Sequence, residues 1–115
     1  MDLIRNKFEV WLADLGIKDG SEVGKVRPVV IVQSSFLSGL PSTIVCPITF
    51  NPWEVENSFQ IPVKSGESGL LRDSLILTDQ LRSLDNSKLR KKIGELNLRN
   101  QITLDQRLKV TLDLT

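Results

Sequence analysis

The stretch Glu22-Val23-Gly24-Lys25-Val26-Arg27-Pro28-Val29-Val30-Ile31-Val32-Gln33-Ser34 decides how this chain is read. It opens as a polar, glycine-containing loop, passes through Lys25, Arg27 and Pro28, and becomes a run of four β-branched residues, Val29 to Val32. That run is too short to cross a membrane and too rich in β-branched residues for a helix. It reads as a central strand buried on both faces. Pro28 has no N–H to offer a ladder, so it is expected to begin the strand rather than lie inside it. Arg27 then stands at the mouth of a rigid strand. There its guanidinium can be aimed at an anion, or can simply join a surface ion pair.

Outward from that strand the periodicity stays that of β structure. Phe8, Val10 and Leu12 alternate with Glu9 and Trp11, the period of a strand with unlike faces. Asp14 to Gly24 carries Gly16, Gly20 and Gly24 among charged residues and reads as a long loop. After a second loop, Ser34 to Ser42, the segment Thr43 to Thr49 is a strand whose Pro47 marks an edge or a bulge. Asn51-Pro52-Trp53 ends it and opens a polar loop to Asn57. Phe59, Ile61 and Val63 alternate again, and Lys64 to Gly69 is a turn. Leu75 to Leu84 is a strand interrupted by Thr78-Asp79-Gln80-Leu81-Arg82, polar groups that need partners or a task. Asn86 to Lys92 suits a short helix or 3₁₀ turn, followed by a short strand, Lys92 to Leu96. Asn97 is placed to cap a terminal helix with Leu98, Ile102, Leu104, Leu108 and Leu112 on one broad face. The alternation of Leu108, Val110, Leu112 and Leu114 leaves a strand open as the alternative there. Short strands at close spacing before one helix predict a mainly β domain, a small bent antiparallel sheet or barrel covered by a C-terminal helix.

Composition narrows the chemistry. At 115 residues the chain is expected to form one domain, 1–115, and its 40% hydrophobic and 25% charged content is that of an ordinary globular protein. A net charge of +1 argues for no particular partner, so any affinity for nucleic acid has to come from local placement of the 15 basic residues among 14 acidic ones. The lone Cys46 excludes an intrachain disulfide and any multi-cysteine metal site. With no histidine in the chain, zinc-hydrolase motifs and Ser-His or Cys-His pairs are impossible. Met1 to Lys7 has no apolar core of signal-peptide length and nothing later approaches a membrane span, so a cytoplasmic protein is expected.

The polar residues at strand ends each have an ordinary structural explanation: Glu22 as a solvated loop carboxylate, Thr49 as a strand-end hydroxyl, Asp79 as a turn residue. Taken in order, however, Glu22-x-x-x-x-Arg27-Pro28-Val-Val-Ile-Val, Pro47-Ile48-Thr49, and Arg72-Asp73-Ser74…Asp79-Gln80-Leu81-Arg82-Ser83-Leu84-Asp85 form a pattern, completed by Leu89…Ile93-Gly94-Glu95-Leu96. The pattern resembles the MazF/PemK family, the toxins of bacterial type II toxin–antitoxin pairs, from Phe8 to the last helix. The resemblance implies a small SH3-like antiparallel barrel with a C-terminal helix. It also implies a homodimer that cuts single-stranded RNA at short sequences with no metal or other cofactor. In that chemistry the ribose 2′-hydroxyl attacks its own phosphate, leaving a 2′,3′-cyclic phosphate and a 5′-hydroxyl. The partner it implies is a MazE-like antitoxin whose acidic, disordered tail fills the RNA groove.

Carried over residue by residue, the resemblance makes Arg27 and Thr49 the catalytic pair, with Glu22 orienting Arg27 or accepting a proton. Asp79 lies where some members place an aspartate beside the cut, and Gln80 follows it. Where some members have a second arginine or a histidine, this chain has Leu77 and Ser21, so it follows the arginine–threonine version of the site. Base reading falls to the loops, with Asn51 and Trp53 as candidates. Trp53 suits stacking on an unpaired base, or equally padding the fold. Lys18 and Lys25 are candidate backbone contacts or ordinary solvated lysines. Lys88, Arg90, Lys91 and Lys92 read as a solvated face, with RNA or antitoxin contact as the sharper alternative. A gyrase poison of the CcdB kind, which shares the fold, and an inactive homologue are the competing functions. A non-catalytic SH3-like module would want aromatic grooves, and this chain has two Trp, four Phe and no Tyr.

Overall fold

The computed structural model of the chain describes residues 4–16, 25–50 and 59–115. Its strands are β1 (Glu9–Asp14), β2 (Val26–Ile31), β3 (Ser42–Thr49), β4 (Gln60–Val63), β5 (Ser74–Leu77), β6 (Arg82–Asp85) and β7 (Leu89–Glu95), followed by helix α1 (Leu98–Thr111). Two 3₁₀ turns, Ser35–Leu37 and Asn86–Lys88, link neighbours. All pairings are antiparallel. The spatial order is β4-β5-β3-β2-β1-β7, with β6 also paired to β3. This is the expected mainly β architecture with a C-terminal helix. Among the described residues no ladder joins β4 to β7, so the sheet is not closed by hydrogen bonds.

The β-branched run occupies the place its composition predicts. β2 lies between β1 and β3, and Val29, Val30 and Ile31 have no exposed surface. Successive side chains point to opposite faces, so Val30 joins one core cluster with Val10, Cys46, Ile48, Ile61, Ile76 and Leu104. Val29 and Ile31 join a second with Trp11, Ala13, Val45, Leu84 and Leu89. Each fully buried Val or Ile contributes roughly 1.5–3 kcal/mol.

Four expectations are corrected in detail. β2 starts at Val26, so Pro28 lies inside it, paired with Leu12. It is tolerated there because β3 pairs with β2 only from Val29 onward. β3 is interior rather than an edge, and Pro47 pairs with Val29. On its other side Val45 faces Arg82 of β6 while Ile48 faces Ile76 of β5. Cys46 and Pro47 therefore stand opposite the break between β5 and β6, where a missing N–H does least harm. β7 begins at Leu89, three residues before the expected Lys92. Finally, α1 buries only Asn100 and Leu104 outright, with Leu108 packed at the margin of the core. Leu98, Ile102 and Leu112, placed on its buried face by periodicity, remain half or more exposed. Asn97 does cap α1, its side chain accepting from the Asn100 N–H at 2.9 Å.

Glu9 ties the outer strand to the sheet. It is 6% exposed, and its Oε1 accepts from the Trp11 Nε1–H at 3.1 Å and the Asn6 N–H at 3.0 Å. Its Oε2 meets Lys92 Nζ of β7 at 3.1 Å. Burial pushes the carboxyl pKa up, but these donors and the Lys92 charge together hold it below its ordinary value. Further along β7, the backbones of Ser68-Gly69 and Ile93-Gly94 touch. A Cβ on Gly94 would run into the Ser68 carbonyl, and one on Gly69 into that of Ile93.

Gly94→Ala is expected to cost about 1–3 kcal/mol through this overpacking, read as a lower urea midpoint, while Gly39→Ala, facing open space, leaves the midpoint unchanged. Glu9→Gln is expected to destabilise by about 1–3 kcal/mol at neutral pH. Because the folded-state pKa of Glu9 is lowered, its contribution is present above the ordinary value of 4.5 and lost as pH falls through the folded value. The gap in urea midpoint between wild type and Glu9→Gln should therefore narrow below pH 4.5 and be flat above pH 6.

Candidate active site

The ends of β2 and β3 bring the two principal candidates together. The β2–β3 register pairs Val29 with Pro47 and Val30 with Cys46. Continued two residues toward the loop end, the same register sets Arg27 opposite Thr49. By alternation both belong to the face lined by Val29, Ile31 and Val45. Each is half-buried. Arg27 is flanked on the other side by Ala13 of β1, and Thr49 by Leu75 of β5. The pair thus sits at the rim of the sheet, just past the last β2–β3 pairing, with each residue held by the strand on its outer side.

Phe50, the residue after Thr49, adds a feature that sequence reasoning passed over. Its ring centroid lies 5.3 Å from the Arg27 guanidinium carbon and 5.0 Å from that of Arg72. Such contacts are worth about 0.5–1 kcal/mol each when exposed. Asp73, next to Arg72, forms no ion pair with it; its Oδ1 accepts from the Ser65 N–H at 2.8 Å. Among the described residues no carboxylate forms an ion pair with Arg27 or Arg72. The signal available in the sequence was adjacency: Phe50 follows the candidate threonine, and Arg72 opens the Arg-Asp-Ser element of the pattern.

Asp79 and Gln80 are placed elsewhere. Both are exposed on the turn between β5 and β6, opposite the middle of β3. The Thr78 hydroxyl anchors that turn by donating to the Phe59 carbonyl, and the Gln80 N–H donates to the Leu77 carbonyl at 3.2 Å. Burial, with a smaller contribution from the Asp79 charge, pushes the Cys46 thiol up to about 12. Cys46 belongs by alternation to the face opposite that of Thr49.

Lys25 is exposed just before β2, where its backbone closes the base of the β1–β2 connection against Leu15 and Gly16. Glu22, Lys18, Asn51 and Trp53 lie outside the described residues. In the basic run of β7, Arg90 pairs with Asp14 at 3.2 Å and Lys92 with Glu9 at 3.1 Å. Half of that run therefore serves to join β7 to β1. Among the described residues no group of three or more His, Cys, Asp or Glu side chains could hold a metal ion.

Known proteins share both the sequence and the fold. Residues 6–112 match the family described as PemK-like, MazF-like toxin of type II toxin–antitoxin system. The chain is 36% identical over 107 residues to Endoribonuclease MazF of Staphylococcus epidermidis, covering 92% of this chain and 89% of that protein. It is 32% identical over 113 residues to Endoribonuclease EndoA of Bacillus subtilis (strain 168), covering 97% of each. Among solved structures, a MazE-MazF crystal structure from Deinococcus radiodurans superposes with a TM-score of 0.82, at 18% identity, over 99% of this chain and 100% of that one. The Mycobacterium tuberculosis toxin MazF-mt6 does so with a TM-score of 0.77, at 23% identity, over 93% and 98%. The rim that carries Arg27 and Thr49, the order of strands beneath it and these likenesses agree: the chain belongs to the PemK-like, MazF-like toxins of type II toxin–antitoxin systems.

Proposed function

We propose that this chain is an endoribonuclease that cuts single-stranded RNA at short sequences, without a metal, and so arrests translation and growth. The observation that carries the reading is the register that sets Arg27 against Thr49 at a half-buried rim. The two named endoribonucleases at 32–36% identity support it. The chain has no histidine, so a reaction in which the nucleophile belongs to the substrate suits it. The 2′-oxygen bonds to phosphorus, the bond to the 5′-oxygen of the next nucleotide breaks, and a 2′,3′-cyclic phosphate and a 5′-hydroxyl result. A proton must leave the 2′-hydroxyl and another must reach the departing 5′-oxygen.

Arg27 grips the scissile phosphate through its fork of N–H donors and stabilises the charge that gathers on it. Thr49 hydrogen-bonds a phosphate oxygen or the attacking hydroxyl, and Glu22 orients Arg27 or accepts the proton. Asn51, Trp53, Lys18 and Lys25 are the proposed contacts to bases and backbone. Asp79 and Gln80 contact RNA from the β5–β6 turn.

The same reading makes the protein a cytoplasmic homodimer, neutralised by a MazE-like antitoxin whose acidic tail occupies the RNA groove. A MazE-MazF assembly and an endoribonuclease bound to its cognate antitoxin are among the structural neighbours. The exposed apolar side chains Phe36, Leu37, Leu40 and Ile44 support a protein-covered surface. No helix among the described residues is long and apolar enough to cross a membrane.

The test is incubation of the protein with a long single-stranded RNA in EDTA, with mapping of cut ends and assay for cyclic phosphate. Discrete cuts ending in cyclic phosphate are expected. Arg27→Ala should lower kcat by roughly 10²–10³-fold. Thr49→Val should lower it by about 10- to 100-fold, the loss of one hydrogen bond to a charged group. Absence of cutting by folded wild type on several RNAs would sink the nuclease reading, and gyrase inhibition would then be assayed.

A further inference from the structure

We infer that Arg72, held with Arg27 on the ring of Phe50, is a second phosphate-binding residue, taking the phosphodiester next to the scissile one. The inference deepens the endoribonuclease reading and rests on it. The two guanidiniums arrive from opposite sides of β3, Arg27 from β2 and Arg72 from the segment leading into β5. They converge on one side chain at the end of β3, at 5.3 and 5.0 Å from its centroid. Their charges are therefore no more than about 10 Å apart, roughly one Debye length at 0.1 M salt.

Two cations so placed repel each other, and among the described residues no ion pair to either of them offsets it. Asp73, the acid next to Arg72, is committed to the Ser65 N–H. The ion pairs among the described residues use other cations: Lys7, Arg90 and Lys92. A ring can hold two guanidinium planes by its faces or edges while leaving their N–H donors directed outward. Donors presented in this way, without a carboxylate, suit an anion with two charges at short spacing. A run of RNA backbone is such an anion. Thr49, adjacent to Phe50 in sequence and opposite Arg27 in register, places the first of those charges at the scissile phosphate. Arg72, on the β5 side, meets the neighbouring one. Phe50 is then a positioning residue that sets the spacing of the two forks.

The experiment is a binding titration of single-stranded RNA carrying a 2′-deoxy nucleotide at the mapped cut (or, if wild type makes no cut, an unmodified RNA), followed by anisotropy at several salt concentrations. In single-stranded nucleic acid each neutralised phosphate contributes about 0.7 to the slope of log K against log salt. Arg72→Gln is expected to lower that slope by about 0.7, while Arg72→Lys keeps it. Lys109→Gln, on the exposed end of α1, should leave it unchanged. Phe50→Leu is expected to weaken binding and lower the slope, and Phe50→Tyr, which keeps the ring, to restore both. Arg72 is exposed, so its variants should match wild type in circular dichroism and urea midpoint.

A slope for Arg72→Gln equal to that of wild type overturns the assignment, as does failure of wild type to bind RNA. Wild type that binds but does not cut would remove the nuclease reading, while the slope of Arg72→Gln still decides the phosphate site. Loss of binding in Phe50→Leu that Phe50→Tyr does not restore would overturn the positioning role.

Discussion

The candidate site depends on β3 being paired along both sides. Eight residues long, this strand carries β2 on one flank and β6 then β5 on the other. A strand bonded on both sides cannot slip by one residue without turning every core side chain to the wrong face. Here a slip would move Val45 out of one cluster and Cys46 and Ile48 out of the other. The core therefore sets the position of Thr49 and Phe50 at the strand's end, and through the neighbouring ladders that of Arg27 and the approach of Arg72. Placement of this kind needs no ordered loop. Rigid backbone supplies the geometry.

The outer strand is secured differently. β7 has one neighbour, β1, and two register shifts interrupt that ladder. What holds it is chemistry between side chains and close backbone contact: Glu9 with Lys92, Asp14 with Arg90, and Gly94 against Ser68-Gly69. Asp14 also accepts from the Gly16 N–H at 2.9 Å, so the same carboxylate shapes the start of the β1–β2 connection. The hydrogen bond from Gly16 and the Arg90 partner hold its pKa below the ordinary value. The strand thus combines an open edge with charged side chains, a combination that discourages pairing with stray strands.

How much of this was legible in the sequence follows from what each signal measures. The Val29–Val32 run reports burial on both faces, and burial is what composition encodes best. The cap of α1 was legible too, since Asn97 acts on its own helix through a local hydrogen bond. Pro47 misled because a missing N–H states only that the ladder is broken there, not on which side. An interior strand satisfies that condition if its neighbour breaks instead, as β5 and β6 do. The helix face misled because periodicity shows which residues could share a surface, whereas burial depends on what lies beneath. Leu98 and Ile102 fall on the stripe but outside the footprint of the sheet. Of the site, the arginine–threonine pairing followed from two short motifs on neighbouring strands. Phe50 and Arg72 did not, because their meeting spans twenty-two residues and depends on β3 standing between two other strands.

The charge distribution explains how a nearly neutral chain can present a cationic site. With 15 basic and 14 acidic residues, whole-molecule charge gives no field to steer a polyanion. What matters is where the acids are used. Glu9, Asp14 and Asp105 pair with Lys92, Arg90 and Lys7. Asp73 and Asp85 accept from the backbone N–H groups of Ser65 and Ser87. Among the described residues none of these carboxylates forms an ion pair with Arg27 or Arg72, whose described contact is an aromatic ring. A ring attracts cations without cancelling their charge, so both guanidiniums lie beside it and stay charged. A carboxylate in the place of Phe50 would order them equally well and neutralise one of them. That difference makes the ring at this position a better organiser of an anion site than an ion pair would be.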